Sequence, residues 1–457
     1  MGCFKKILIA NRGEIAVRII RACRDMGIIS VAVYSEADRD ALHTQIADEA
    51  VCIGPAASGE SYLNMDRVLS AALASHAEAI HPGFGFLSEN ADFAERCAKY
   101  GITFIGPKPE TIRKLGNKAE ARRTMQKAGV PIIPGSDGPV ETLEDAHAVA
   151  EAIGYPLMVK ASAGGGGRGI RLVETASGLQ DAWNAAKAEA GAAFGDSAVY
   201  MERFIKNPRH IEFQIMADTF GGTVHLFERD CSIQRRHQKL LEESPSPFLS
   251  EPLRKAMGAA AVKAAKSAGY IGAGTVEFLV DVDGSFYFCE MNTRIQVEHP
   301  VTEWVTGTDL VALQIHVAAG EALPFKQKDL SQDGHAIECR INAEDPEANF
   351  APRPGTIRAL HLPGGIGVRV DSAVYQGYRV PPYYDSMVAK LIVHAPTRPE
   401  AIARMKRALV EFIFDGLVTN SDFQLALLNN ADFAKGNYTV SFLDTHDIID
   451  EMRRMME

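Results

Sequence analysis

Apolar residues open the chain as a short run, Ile7-Leu-Ile-Ala10, followed by a polar turn, Asn11-Arg-Gly-Glu14, and then by apolar positions at helical spacing from Ile15 to Met26. A second apolar run spans Val31 to Tyr34. Short continuous runs on either side of a helix-period segment predict a βαβ unit, hence a parallel sheet, over about the first 115 residues. No Gly-x-Gly-x-x-Gly occurs there, so no dinucleotide site is predicted. Pro131 to Pro139 interrupts the pattern and reads as a hinge into a small second unit, which runs through Gly164-Gly-Gly-Gly-Arg-Gly169 to about Phe204. From Pro208 to Glu321 the pattern reads as a mixed sheet, Gly334 to Val393 is rich in strands, and Arg398 to Phe412 has the spacing of an amphipathic helix.

The most informative stretch is Glu277 to Pro300. Apolar and aromatic residues flank Asp283-Gly284, a strong hairpin signal. With those two residues as the loop, Val282 faces Ser285 and Glu277 falls opposite Glu290 on the same sheet face. Asn292, two residues on, points the same way. Like charges opposed across a ladder are destabilising, by about 1 kcal/mol in water and about 4 kcal/mol near a protein surface at 4 Å. A divalent cation relieves this, and two carboxylates with an amide oxygen suit Mg²⁺ or Mn²⁺. A solvated edge hairpin is the bland alternative, but Phe278, Val280, Phe286 and Phe288 argue for a buried sheet.

Composition narrows the classes. At 457 residues the chain is long enough for about three domains, and 46% hydrophobic residues suffice for real cores. A net charge of −10 argues against a nucleic-acid surface, so an anionic substrate must be met by a local cluster of cations. Seven cysteines form no Cys-x-x-Cys pair and read as reduced thiols. No apolar run approaches the roughly 20 residues of a membrane span. The run after Lys6 is too short for a signal-peptide core, and Lys6 stands where a myristoylation motif wants Ser or Thr. A cytoplasmic protein with no membrane partner is expected.

Further stretches carry candidate chemistry. Consecutive glycines after Val159-Lys160 let backbone N–H groups close around phosphates, with Lys160 in reach of an α-phosphate. No Gly-Lys-Ser/Thr follows, so this is not a P-loop, and it reads as a lid over nucleotide. His81 to Asn90 is a glycine-rich loop at a strand end, a place where open α/β sheets hold ligands, or else an ordinary turn. Tyr200 to Ile205 reads either as a plain strand or as a strand end that reads adenine, with Glu202 accepting from the amino group. His210 and Glu212 share a strand face, as a satisfied pair or as ligands. Arg229, Arg235, Arg236 and Lys239 are the local cations that an anion needs, with His237 beside them. Arg294, Gln296 and Glu298 alternate at strand spacing, and a guanidinium next to a carboxylate can bind and deprotonate a small oxyanion. For Arg340, a buried salt bridge with Glu338 is the structural alternative.

With these residues in view the chain resembles the biotin carboxylase family of the ATP-grasp superfamily. The resemblance runs from Ile9-Ala-Asn-Arg-Gly-Glu-Ile-Ala16 through His81 to Asn90 to Pro381-Pro-Tyr-Tyr-Asp-Ser-Met387, and is most specific at Arg229 to Lys239 and at Met291 to Pro300. It implies an ATP-grasp fold of the α/β (α+β) class. Residues 1–115 would form an N-terminal parallel-sheet βαβ domain, 116–330 the ATP-grasp domain with a mobile glycine-rich lid at about 132–204, and 331–446 a C-terminal mixed α/β domain. Lys118, Lys160, His210 and His237 are implied as ATP-phosphate ligands, Gln234 as a further nucleotide-binding residue, Gly166 and Gly167 as the lid's phosphate grip, and Glu202, Arg203, Phe204 and Ile205 as the adenine segment. Glu277, Glu290 and Asn292 are implied as metal ligands. Lys239, Arg294, Gln296 and Val297 are implied for bicarbonate, with Arg294 catalytic, Glu298 as base and Arg340 stabilising a biotin enolate. Ile170 stands where the family usually has Met.

The resemblance implies two steps. Bicarbonate attacks the γ-phosphate of ATP, held with Mg²⁺ (or Mn²⁺), giving carboxyphosphate and ADP. Biotin on a biotin carboxyl carrier protein is then carboxylated in a site closed to water. No Ala-Met-Lys-Met type biotin-attachment segment is found, and Arg404-Met-Lys-Arg407 lies in the amphipathic helix. A free-standing subunit of acetyl-CoA carboxylase in fatty-acid synthesis is therefore expected, with carrier and carboxyltransferase subunits as partners, and the resemblance implies a homodimer. Alternatives are the same subunit in a pyruvate or propionyl-CoA carboxylase, or another ATP-grasp ligase driven by ammonia or an amino acid. A catalytically dead nucleotide-binding regulator would lack a metal ligand or Arg294, and none is lacking.

Overall fold

The computed structural model describes residues 3–161, 170–194 and 197–457. The first apolar run is the strand Lys6–Ile9, the helical-period segment is the helix Gly13–Asp25, and the next run is the strand Ile29–Tyr34. They lie in a five-stranded sheet, all parallel, in the order Glu49–Cys52, Ile29–Tyr34, Lys6–Ile9, Ala79–His81, Thr103–Phe104. Ile7, Leu8 and Ile9 are all fully buried, because a parallel sheet covered on both faces needs continuous rather than alternating apolar residues. Asn11 donates to the carbonyls of Pro82 and Phe84 at 2.7 Å, which ties the first βα turn to the loop of His81 to Asn90.

A small three-stranded antiparallel sheet follows, in the order Ile170–Val173, Leu157–Ala161, Val199–Arg203, flanked by the helices Leu143–Ile153 and Leu179–Phe194. Gly166 and Gly167, expected to grip phosphate, lie outside the described residues.

The main body is an eight-stranded sheet. Its order is Phe286–Asn292, Gly272–Val280, Arg209–Ala217, Thr223–Arg235, Gln238–Ser244, His335–Asn342, Met387–Ala395, Val368–Ser372. Every ladder in it is antiparallel, where the sequence suggested a mixed sheet ending near Glu321. It runs on past residue 330, so strands on both sides of that position share hydrogen bonds. Phe213 and Phe278, both fully buried, pack with Met257 and Ala261 of the helix Glu251–Ser267. The predicted amphipathic helix is Arg398–Glu411, which buries Ala401, Met405 and Ala408.

The carboxylate hairpin is built differently from its reading in the sequence, although the key pairing is the same. Val280 pairs with Phe286, so the loop is the three residues Val282, Asp283 and Gly284, with Gly284 at φ +85°. A register shift between Glu277 and Phe278 leaves Cys289 as an extra residue, and Glu277 again faces Glu290. The two one-residue offsets cancel.

Candidate active site

Alternation along Arg209–Ala217 sends Ile211, Phe213 and Ile215 to the apolar core, and His210, Glu212 and Gln214 to the opposite face. Glu212 pairs across one ladder with Glu277 and across the other with Arg229, so Glu290, Glu277, Glu212 and Arg229 form a row across four strands. Arg229 and Glu212 are both fully buried. Arg229 donates to Glu212 (2.6 Å), Gln214 (2.7 Å), Thr302 (2.9 Å) and Thr275 (3.1 Å). It therefore anchors the acidic row from below and is closed to any incoming anion, contrary to its reading as one of four anion-holding cations. Arg235, partly exposed, instead donates to Asn349 and lies over the Phe350 ring. Arg236 and His237 form the two-residue turn of a hairpin at φ +50° and +64°, and both are exposed. Of the four cations only Lys239 enters the site.

Lys239 is where the polar groups converge. Its Nζ donates to Glu298 (2.6 Å), Glu212 (2.7 Å), Gln296 (3.1 Å) and Glu277 (3.3 Å). Burial alone would lower its pKa, but the three carboxylates outweigh that and hold it well above the usual lysine value. His210 sits 3.2 Å from Glu277 and 3.0 Å from Gln234. Burial lowers its pKa less than Glu277 and Glu212 raise it, so the imidazole is pushed up to about 9.

On the other side of Glu277, Asn292 donates to its Oε1 at 2.7 Å, so the amide shares the carboxylate face. Glu290 has Lys118 at 3.6 Å as its cationic neighbour. Two facing carboxylates with one amide are an all-oxygen donor set of the kind that hard divalent cations take, so these residues fit Mg²⁺ or Mn²⁺. Among the described residues, His210, Glu212 and Glu277 also bring ligand atoms within 4.8 Å of one another. Lys239 already donates to Glu212 and Glu277 on that side.

Residues 293–298 are a bend and a turn, not the strand that the alternation of Arg294, Gln296 and Glu298 suggested. Pro300 in the first turn of the helix His299–Thr306 is the signal for that ending. The turn still brings Gln296 and Glu298 to Lys239, while Arg294 turns toward the metal-binding side, its Nη2 3.4 Å from Asn292 Oδ1. Its Nε donates to Glu89 at 3.1 Å, and Glu89 also accepts from the backbone and hydroxyl of Thr293. Glu89 lies in the glycine-rich loop of the first sheet, 204 residues away from Thr293, and no spacing in the sequence points to it. Arg340 donates to Glu242 (2.7 Å) and Glu298 (3.0 Å), not to Glu338. The carbonyl of Val297 accepts from Lys390, a fully buried lysine to which no motif in the sequence points.

Among the nucleotide candidates, Lys160 ion-pairs with Glu202, which is buried on the strand Val199–Arg203. Arg203 is exposed, Phe204 partly buried and Ile205 buried, and the Phe204 N–H donates to the Pro156 carbonyl. Among the described residues no helix is long and apolar enough to cross a membrane.

The chain matches three family models: the N-terminal domain of biotin carboxylase over residues 3–112, the ATP binding domain of the carbamoyl-phosphate synthase L chain over 117–326, and the biotin carboxylase C-terminal domain over 338–445. It is 59% identical to Biotin carboxylase 1 of Bacillus subtilis, covering 97% of this chain and 99% of that one. It is 56% identical to one of the pyruvate carboxylase subunits of Methanothermobacter thermautotrophicus, covering 99% and 93%. Among solved structures, the biotin carboxylase domain dimer of the Hydrogenobacter thermophilus 2-oxoglutarate carboxylase, with MgADP, ADP and bicarbonate, superposes with a TM-score of 0.90 at 50% identity over 98% of each chain.

Proposed function

Because this chain belongs to the biotin carboxylase family, ATP-dependent ligases that carboxylate biotin, we propose that the side chains around Lys239 hold bicarbonate next to the nucleotide phosphates. The observation that carries this reading is the convergence of Lys239, Gln296, Glu298 and Arg340 beside the facing acids Glu277 and Glu290. Lys239 and Arg294 neutralise the anion, Gln296 and Val297 orient it, and Glu298 takes its proton as the oxygen attacks the γ-phosphate. Lys118, Lys160, His210, Gln234 and His237 hold the phosphates, and the Glu202 to Ile205 segment holds adenine. When bound by Glu277, Glu290 and Asn292, the metal ion supplies charge neutralisation on the transferring phosphoryl group. The carboxyphosphate so formed splits into CO₂ and phosphate, biotin gives its ureido proton to that phosphate, and Arg340 stabilises the resulting enolate as it captures the CO₂.

The test is ADP release by the purified protein with MgATP and bicarbonate, with and without biotin. Release stimulated by biotin is expected; release driven instead by ammonia or an amino acid would move the protein to another ATP-grasp ligase. Arg294→Ala should lower biotin-dependent turnover about 10²-fold with nucleotide affinity nearly intact. A parallel loss of nucleotide binding would contradict its role. Glu290→Gln should raise the magnesium concentration for half-maximal turnover at least about tenfold, and an unchanged titration would remove it from the metal set.

We assign acetyl-CoA carboxylase as the host, with a cytoplasmic homodimer handing carboxylated carrier to carboxyltransferase subunits. The dimer is supported by the Hydrogenobacter neighbour, which is described as one. Near-equal identity to the pyruvate carboxylase relative, 56% against 59%, favours a second reading with pyruvate as the final acceptor. Recovery of the biotinylated partner with its carboxyltransferase, assayed on acetyl-CoA and on pyruvate, separates the two.

A further inference from the structure

Behind Arg340 the strands Gln238–Ser244 and His335–Asn342 set two carboxyls face to face. Glu242 pairs with Glu338 in the antiparallel register, and both residues are fully buried. Arg340 donates from Nε (2.7 Å) and Nη2 (2.5 Å) to Glu242 Oε1. Glu242 Oε2 and both oxygens of Glu338 have no hydrogen-bond partner among the described residues. Opposed like charges destabilise a ladder, and an unpaired buried carboxylate costs more still.

The groups around the pair leave no cation to spare. Arg340, from the Glu338 strand, also binds Glu298 at 3.0 Å. Lys390, opposite Arg340 on the next strand, is engaged by the Val297 carbonyl (2.8 Å), Glu14 (3.1 Å) and Asp371 (3.8 Å). Asp371 and Arg369 bind one another, and Arg369 takes Glu303 as well. Lys239 is matched by Glu212, Glu277 and Glu298. The helix His299–Thr306 covers this face with Val301 and Val305 against Ala336 and Ile392. It also brings His299, which burial keeps neutral.

We propose that Glu242 and Glu338 share one proton, and that the single negative charge left on Glu242 fixes the plane of the Arg340 guanidinium beside Glu298. Burial agrees with this, pushing the Glu242 carboxyl up to about 7 and the Glu338 carboxyl well above the usual range. Two ionised acids would draw Arg340 back from Glu298, and two protonated ones would release it. Glu242 and Glu338 are thus positioning residues that act through Arg340, and their role rests on the reading of Arg340 given above.

Three measurements on the full chain decide it. The infrared spectrum of the unliganded protein at about pH 8 should show a protonated-carboxyl C=O band that Glu338→Gln removes. Glu242→Gln should lower biotin-dependent kcat by about 10–100-fold, the range for residues that orient a ligand-contacting group, with the KM for ATP within about twofold. Glu338→Ala should lose about tenfold in kcat, and Glu338→Gln, which keeps an N–H where the shared proton sits, should lose no more than about threefold. The proposal is overturned if the band is missing, if Gln and Ala at 338 are equally impaired, or if the KM for ATP rises in step with the fall in kcat. Should Glu242→Gln not fold, the band and the 338 pair still decide. Wild-type protein without biotin-dependent turnover would sink the reading of the reaction but not the shared proton, since the band is read without substrate.

Discussion

Lys239→Met is expected to lower biotin-dependent ADP release about 10³-fold, with a rise in the bicarbonate KM. The amino group is the point where the acidic row, the turn of residues 293–298 and the proposed base meet, at 2.6–3.3 Å from Glu298, Glu212, Gln296 and Glu277. Methionine keeps the length and apolar stem of the side chain but removes the charge. Glu212, Glu277 and Glu298 then repel one another, at about 4 kcal/mol per pair at 4 Å in a medium of effective dielectric about 20. The base loses one of the two cations that hold it in place, Arg340 being the other, and the anion loses one of its counter-charges in the same step. Steady-state kinetics check this, and retention of more than about a tenth of wild-type turnover would place the bicarbonate site elsewhere.

Arg229→Met is expected to lower folding stability by about 3–5 kcal/mol, as removal of one partner of a buried ion pair does. Its guanidinium is fully buried and donates to Glu212, Gln214, Thr302 and Thr275. All four acceptors belong to fully or nearly fully buried residues, so the cost includes unsatisfied acceptors as well as an unbalanced carboxylate. Denaturant unfolding measures it, and a loss below about 1 kcal/mol would show that Glu212 is satisfied by Lys239 and His210 alone. Combining Arg229→Met with Glu212→Gln should recover part of the loss, because the two share one interaction and are not additive. A fully additive pair would deny the coupling.

The two expectations differ in how visible they are in the chain. Lys239 stands out as one of four cations in an acidic protein, and the structure keeps it in the site. Arg229 stands in the same run and reads the same way, yet its surroundings are the reverse. Both belong to a hairpin whose residues run from buried core to exposed tip, and charge patterning says nothing about depth. Residue order pairs Glu277 with Glu290 correctly through a loop that is one residue too short, because the bulge at Cys289 restores the register. The strand suggested for Arg294 to Glu298 does not form, although the local rule for a proline in a first helical turn is there to correct it. Glu89, Glu242 and Lys390 cannot be ranked from the chain at all. Each acts on a residue far along it, Glu89 on Arg294 at a separation of 205 and Lys390 on Val297 at 93.

Element type, strand direction in the first sheet, the facing acids and the family resemblance are properties of residue order. They follow from hydrophobic period and turn chemistry, which act over a few neighbours. Which charges are buried, which are matched and which are left for a ligand is decided only when distant strands come together. A carboxylate or guanidinium takes its energy from the groups within a few ångströms, and in this fold those groups come from elsewhere in the chain.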